Sequence, residues 1–149
     1  MTITTCMVTS AKLQLLEAQH NFSASGGDTF KLALIKASPS GTYDTTSTNY
    51  SNITDNSDEV IGTGYTAGGF TLTNVAPVVT GTTAFTSFSP AANWTTATFT
   101  TTGCMIYNSS KSNTCVGVYD FGGLQTVTAS TFTVIFPVDA AGTALIQIS

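Results

Sequence analysis

From Thr29 onward, short runs of β-branched and aromatic residues recur at a spacing of about ten residues, with Gly, Pro, Asn or Ser between them. The clearest run is Thr29–Ala37, where Phe30, Leu32 and Leu34 share one face and Lys31 and Lys36 lie outside it. Phe70–Asn74, Val75–Thr80, Thr83–Phe88, Thr95–Thr101, Cys104–Tyr107, Thr114–Phe121, Thr131–Phe136 and Ala144–Ile148 follow, and Glu59–Ile61 reads as a further short strand. Many short strands with regular punctuation predict a mainly β chain, a jelly-roll-like antiparallel β-sandwich. Threonine, 30 of 149 residues, suits a pleated and half-exposed surface. Neither an internal repeat nor a linker is visible, so residues 1–149 read as one sandwich domain.

One segment departs from this rhythm. Residues 10–20 contain strong helix formers and neither Gly nor Pro, with Thr9 or Ser10 placed to cap the first turn. Leu13, Leu16 and His20, with Leu15 beside them, predict one apolar stripe on this N-terminal α-helix. Before it, residues 1–8 alternate Ile and Thr with no charge until Lys12. They read either as a docking arm that adds to a neighbour's sheet edge or as a strand of the chain's own sheet. Residues 40–59 are polar, with Tyr43, Tyr50 and Ile53 as isolated anchors, and predict a structured loop with short strand pieces.

Charge excludes several functions. Only 8% of residues are charged, the net charge is -4, and all four basic residues are lysines. A nucleic-acid surface needs clustered cations, which are missing. The apolar runs are far too short for a membrane helix, and 42% hydrophobic residues argue against disorder. The first residues lack a basic region followed by an apolar core, so no secretory leader is expected.

Catalytic and metal-binding constellations are equally scarce. His20 is the one histidine, and its place at the predicted helix end suggests a partner among terminal carbonyls. Gly62, Gly64, Gly68 and Gly69 lack the following helix and the lysine that a phosphate loop needs, so they read as a turn. Asp55, Asp58 and Glu59 form the densest acidic cluster and read as a solvated loop without calcium-loop spacing. Trp94 reads as core. No catalytic residue, cofactor or metal is expected.

Three cysteines leave at least one thiol unpaired. Cys104 and Cys115 flank a predicted hairpin. They face each other if Asn108 pairs with Lys111, and are diagonal if Tyr107 pairs with Thr114. Reduced, buried thiols are the simpler expectation.

The order of short motifs along nearly the whole chain resembles small virion structural proteins of tailed bacteriophages. The similarity lies in Thr9–Leu16 with His20-Asn21-Phe22, in Asp28–Leu34, and in Glu59–Gly69 with its GTGYTAGG stretch. Met105–Asn108, Asp120–Gly123 and Phe132–Pro137 continue it. Ile35-Lys36-Ala37-Ser38 departs from the aliphatic-Tyr-Thr-Ser sequence usual after the first strand. The resemblance implies a capsid decoration, or cement, protein on the outer capsid surface, made in the bacterial host cytoplasm. Its implied partners are the major capsid protein and further copies of itself, as a dimer or trimer, with neither nucleic acid nor membrane. Ile3, Met7, Tyr43 and Tyr50 are the candidate interface residues. The alternative is a tail, neck or fibre-base component, with Tyr43, Tyr50 and Tyr65 available to stack on host glycans.

Overall fold

The structure is a computed structural model that describes residues 2–149. It is mainly β, and its sheets are antiparallel. The elements are β1 (Cys6–Met7), α1 (Thr9–Leu16), β2 (Phe30–Lys36), α2 (Ser51–Thr54), β3 (Phe70–Thr71), β4 (Val78–Thr80), β5 (Thr83–Thr86), β6 (Ala92–Asn108), β7 (Thr114–Val134) and β8 (Ile146–Ile148). A five-stranded sheet has the order β1-β7-β6-β2-β3, and a three-stranded sheet has the order β4-β5-β8.

The five-stranded sheet is apolar on both faces. Phe30, Leu32 and Leu34 of β2, with Cys104 and Ile106 of β6, point into a cluster that also takes Phe88 and Ile146 from the side of the smaller sheet. Ala33, Ile35, Met105, Cys115 and Val118 point the other way, onto Val8, Ala11, Tyr43 and Ile53. Strand β2 is therefore buried on both sides, which explains its near-continuous apolar run.

β6 and β7 form one long hairpin of 17 and 21 residues. Four sequence runs merge into these two strands, because the interruptions between them are bulges and not turns. Thr96 and Ala129 stand at positive φ at two of these irregularities. The hairpin is also coiled. Phe121 and Phe132 lie about 36 Å apart along an extended strand, yet their ring centroids are 6.2 Å apart. Its distal part wraps the aromatic cluster of Trp94, Phe99 and Phe132. Trp94 is only 5% exposed, as expected for a core residue.

The hairpin register settles the cysteines. Cys104 pairs with Tyr119, and Cys115 pairs with Tyr107. Both sequence registers are corrected: Asn108 pairs with Thr114. Cys104 and Cys115 consequently belong to clusters on opposite faces of the sheet, and no bridge joins them. Burial pushes both thiols well above the usual cysteine range. Alkylation after denaturation without reductant is expected to label three thiols, and mass spectrometry reads the count.

The helix is shorter than predicted and is used differently. It ends at Leu16, before Ala18 turns to a φ of 55°. Neither Thr9 nor Ser10 is its N-cap; that position is Val8, which makes no side-chain cap bond. Leu15 packs against the core and His20 is buried, but Leu13 and Leu16 are 57% and 88% exposed, so that half of the predicted stripe does not face the core. Instead, small Ala11 is buried, which lets the helix lie close against β7. Between 40 and 59, the expected strand pieces reduce to isolated bridges at Tyr43, Asn49 and Glu59, beside the one-turn helix α2.

Candidate docking surfaces

Two adjacent carboxylates organise the polar segment around residues 40–69. Asp58 is fully buried, which corrects the solvated-loop reading. It accepts hydrogen bonds from Ser40 N (2.8 Å), Gly41 N (2.7 Å) and the Tyr43 hydroxyl (2.6 Å), and pairs with Lys36 Nζ at 3.1 Å. Burial alone would raise its pKa; the four donors outweigh that and hold the carboxyl at about 2. Glu59 faces a different set of partners. Its carboxylate accepts from the Tyr50 hydroxyl (2.5 Å), the Tyr65 hydroxyl (2.7 Å) and Gly68 N (2.7 Å). Burial and the Glu59 charge push all three neighbouring tyrosines upward, Tyr107 to about 12. Asp55 alone of the trio stays exposed.

This arrangement fixes the four candidate interface residues. Tyr43 is wholly buried, so its side chain lies in the chain's own core rather than at a surface. Tyr50 is half-buried and stacks on Tyr107 with ring centroids 4.6 Å apart. Ile3 forms a parallel bridge with Tyr43, and Met7 pairs with Gly117 in β1. Residues 2–8 are thus laid along the chain's own sheet, with Thr4 N donating to Tyr43 O and Tyr43 N to Thr2 O. Tyr65 packs against Trp94 and Phe99. Tyr43 therefore has no ring face open to a sugar, while Tyr50 and Tyr65 are half-buried, each with ring contacts inside the chain.

His20 lies beyond the helix and is tied by side chains, not by terminal carbonyls. Its Nε2 donates to Gln14 Oε1 (2.9 Å), and its Nδ1 accepts from Asn108 Nδ2 (3.0 Å). Asn108, fully buried, also donates to Asp28 Oδ2 at 2.8 Å. Burial lowers the histidine pKa, and the opposing Asp28 charge does not reverse it. A folded pKa below the unfolded value means that the unfolded chain binds more protons. Stability is therefore expected to fall as pH drops below the ordinary histidine range near 6.5. Urea midpoints at pH 8 and pH 5 read this loss, and His20→Gln should flatten that part of the profile. Among the described residues, no group of three or more His, Cys, Asp or Glu side chains comes together in a metal-binding arrangement.

The remaining features are apolar and uncharged. Nine of the twelve charged residues lie in the first 59 positions, leaving Lys111, Asp120 and Asp139 for the rest. The same later part carries seven of the nine large hydrophobics found exposed: Ile61, Val78, Val79, Leu124, Ile135, Val138 and Ile148. Val79, Ala84 and Ile148 form a row across the smaller sheet. Beside this row is a cavity of about 130 Å³ whose lining includes Leu15, Phe22 and Ile146. A second cavity, of about 210 Å³, opens beside the end of β7 between Phe121, Val134, Phe136 and Leu145. Isolated exposed apolar residues are ordinary; the adjacent Val79, Ala84 and Ile148 make the small sheet the candidate contact surface. Sequence reading missed this surface because it weighed charge over the whole chain and not by position.

Comparison with family models, with curated proteins and with solved structures returns no match. No helix among the described residues is long and apolar enough to cross a membrane.

Proposed function

We propose that this chain is a capsid decoration protein that binds across seams between major capsid subunits on the outer head surface. The supporting observation is the segregation of charge along the chain, together with the exposed apolar row of the smaller sheet. Charges crowd the first 59 residues, while exposed Val78, Val79, Leu124, Ile135 and Ile148 lie in the nearly uncharged remainder. In this reading the apolar part docks and the charged part faces solvent. The jelly-roll-like sandwich is part of the proposal, supported by eight strands divided over two antiparallel sheets around a shared cluster. Bound across a seam, each copy buries area on two capsid subunits, so pulling them apart under packed DNA also requires breaking its contacts. Lattice repetition multiplies a weak individual contact.

With few charges at the docking surface, attachment rests on apolar burial and neutral hydrogen bonds. Purified chain is mixed with heads that lack it and pelleted across about 0.1 to 1 M salt. Occupancy should change little over this range. Release by moderate salt would contradict the reading.

A further inference from the structure

The sheet order leaves one long edge without a strand. β1 covers β7 only at Gly117 and Val118, and Thr5 Oγ1 accepts from Asp120 N just beyond. From Gln125 to Val134, β7 pairs with β6 on one side, and no strand of the described residues pairs with the other. Such an edge presents free N–H and C=O groups that only another extended backbone satisfies in regular order.

Usual edge protection is weak here. No charged residue lies between Phe121 and Val138, and the first proline after Thr114 is Pro137. One bulge interrupts the edge, where Val127 pairs with Phe99 and Ser130 with Ala97, with Ala129 at φ 46°. That bulge restricts the partner. A strand with a different pattern would lose inward and outward alternation on crossing it. A second copy of β7, run antiparallel about a two-fold axis between Ala129 and Ser130, carries the same bulge at the same place.

We propose that two copies of this chain pair through this edge, continuing the five-stranded sheet across a two-fold axis. The register sets Thr128 against Thr131 and Thr126 against Thr133, and brings Leu124 opposite Ile135 just beyond the two ends of the open edge. All six are solvent-facing, and Leu124 and Ile135 are 59% and 80% exposed in the single chain. Thr–Thr and apolar pairs of this kind are favourable cross-strand neighbours. An isologous contact opposes each residue to a residue of the same chain, so a strand without charge meets no like-charge repulsion. The inference does not depend on the decoration reading.

Light scattering on size-exclusion fractions of the full chain, loaded from about 1 µM to 1 mM, tests it. The expected mass is that of a dimer at high concentration, falling toward monomer on dilution. L124K with I135K places lysine against lysine twice and should weaken the dimer at least tenfold. L124K with I135E opposes unlike charges and should restore it; Val79→Lys, on the other sheet, should leave it unchanged. Circular dichroism confirms that each variant is folded. A monomer at every concentration would overturn the proposal, as would a dimer indifferent to the paired lysines or a charge-swapped variant as weak as the double lysine. A chain that stays monomeric but still binds heads would remove this inference and leave the decoration reading standing.

Discussion

Replacing Asp58 by Ala is expected to cost about 3–5 kcal/mol of folding stability, because each buried donor left without its acceptor costs about 1–3 kcal/mol. The loss is larger than a surface ion pair would suggest because four donors converge on this carboxylate. Without it, the Tyr43 hydroxyl and the Ser40 and Gly41 amides lose their acceptor in a buried site. Asp55→Ala, three residues away and exposed, should stay within about 0.5 kcal/mol of the parent. Urea denaturation of both variants makes the comparison. The same group sets an acid limit. Its folded pKa, about 2, lies below the ordinary carboxylate value. Its contribution is therefore complete above that ordinary value and is lost as pH falls from about 4 toward 2. After solvent screening, that component is on the order of 1–2 kcal/mol. It should be missing from Asp58→Asn, whose profile flattens there.

Gly69→Ala is expected to be worse, at least about 4 kcal/mol or outright failure to fold. A Cβ there would sit 1.9 Å from Leu32 O and 2.8 Å from the Ala33 Cα, in a backbone held at φ +75°. Both neighbours are backbone atoms of the central strand β2, which cannot give way without breaking its ladder with β6. Gly81 is the control. Its φ is +61° and nothing lies within 4 Å of an added Cβ, so Gly81→Ala should cost about 1 kcal/mol of backbone strain alone. Expression yield and thermal midpoint separate the two cases.

These two sites differ in how far the sequence announces them. The glycine-rich stretch is visible as a turn, but that Gly69 lies against Leu32 is a long-range contact. Asp58 looks like one more loop acid, because its partners, apart from Lys36, are backbone amides and a tyrosine. The clearest strand, β2, is legible in position, and its Phe30, Leu32 and Leu34 face lies in the core as expected. The β6–β7 hairpin is legible at its turn, between Cys104 and Cys115, but not in its length, because Gly122 and Gly123, at positive φ, and the irregularities near Thr96 and Ala129 carry the composition of turns. They bend a continuous ribbon around its own aromatics, and nothing local distinguishes that from a chain reversal. Leu13 and Leu16 of the helical stripe fail for a related reason. The sheet needs a close-packed small residue there, and Ala11 serves better than the leucines. Tyr43 and Tyr50 read in the sequence as isolated anchors in a polar segment, whereas Tyr43 fills the core under Asp58.

A cryo-EM map of purified heads tests the central claim most directly. The decoration reading predicts this chain in hundreds of copies on the outer surface, its Val79–Ile148 and β7 side turned toward the capsid seams or a neighbouring copy. Heads without it, or density confined to a few copies at the neck or tail, would contradict that claim.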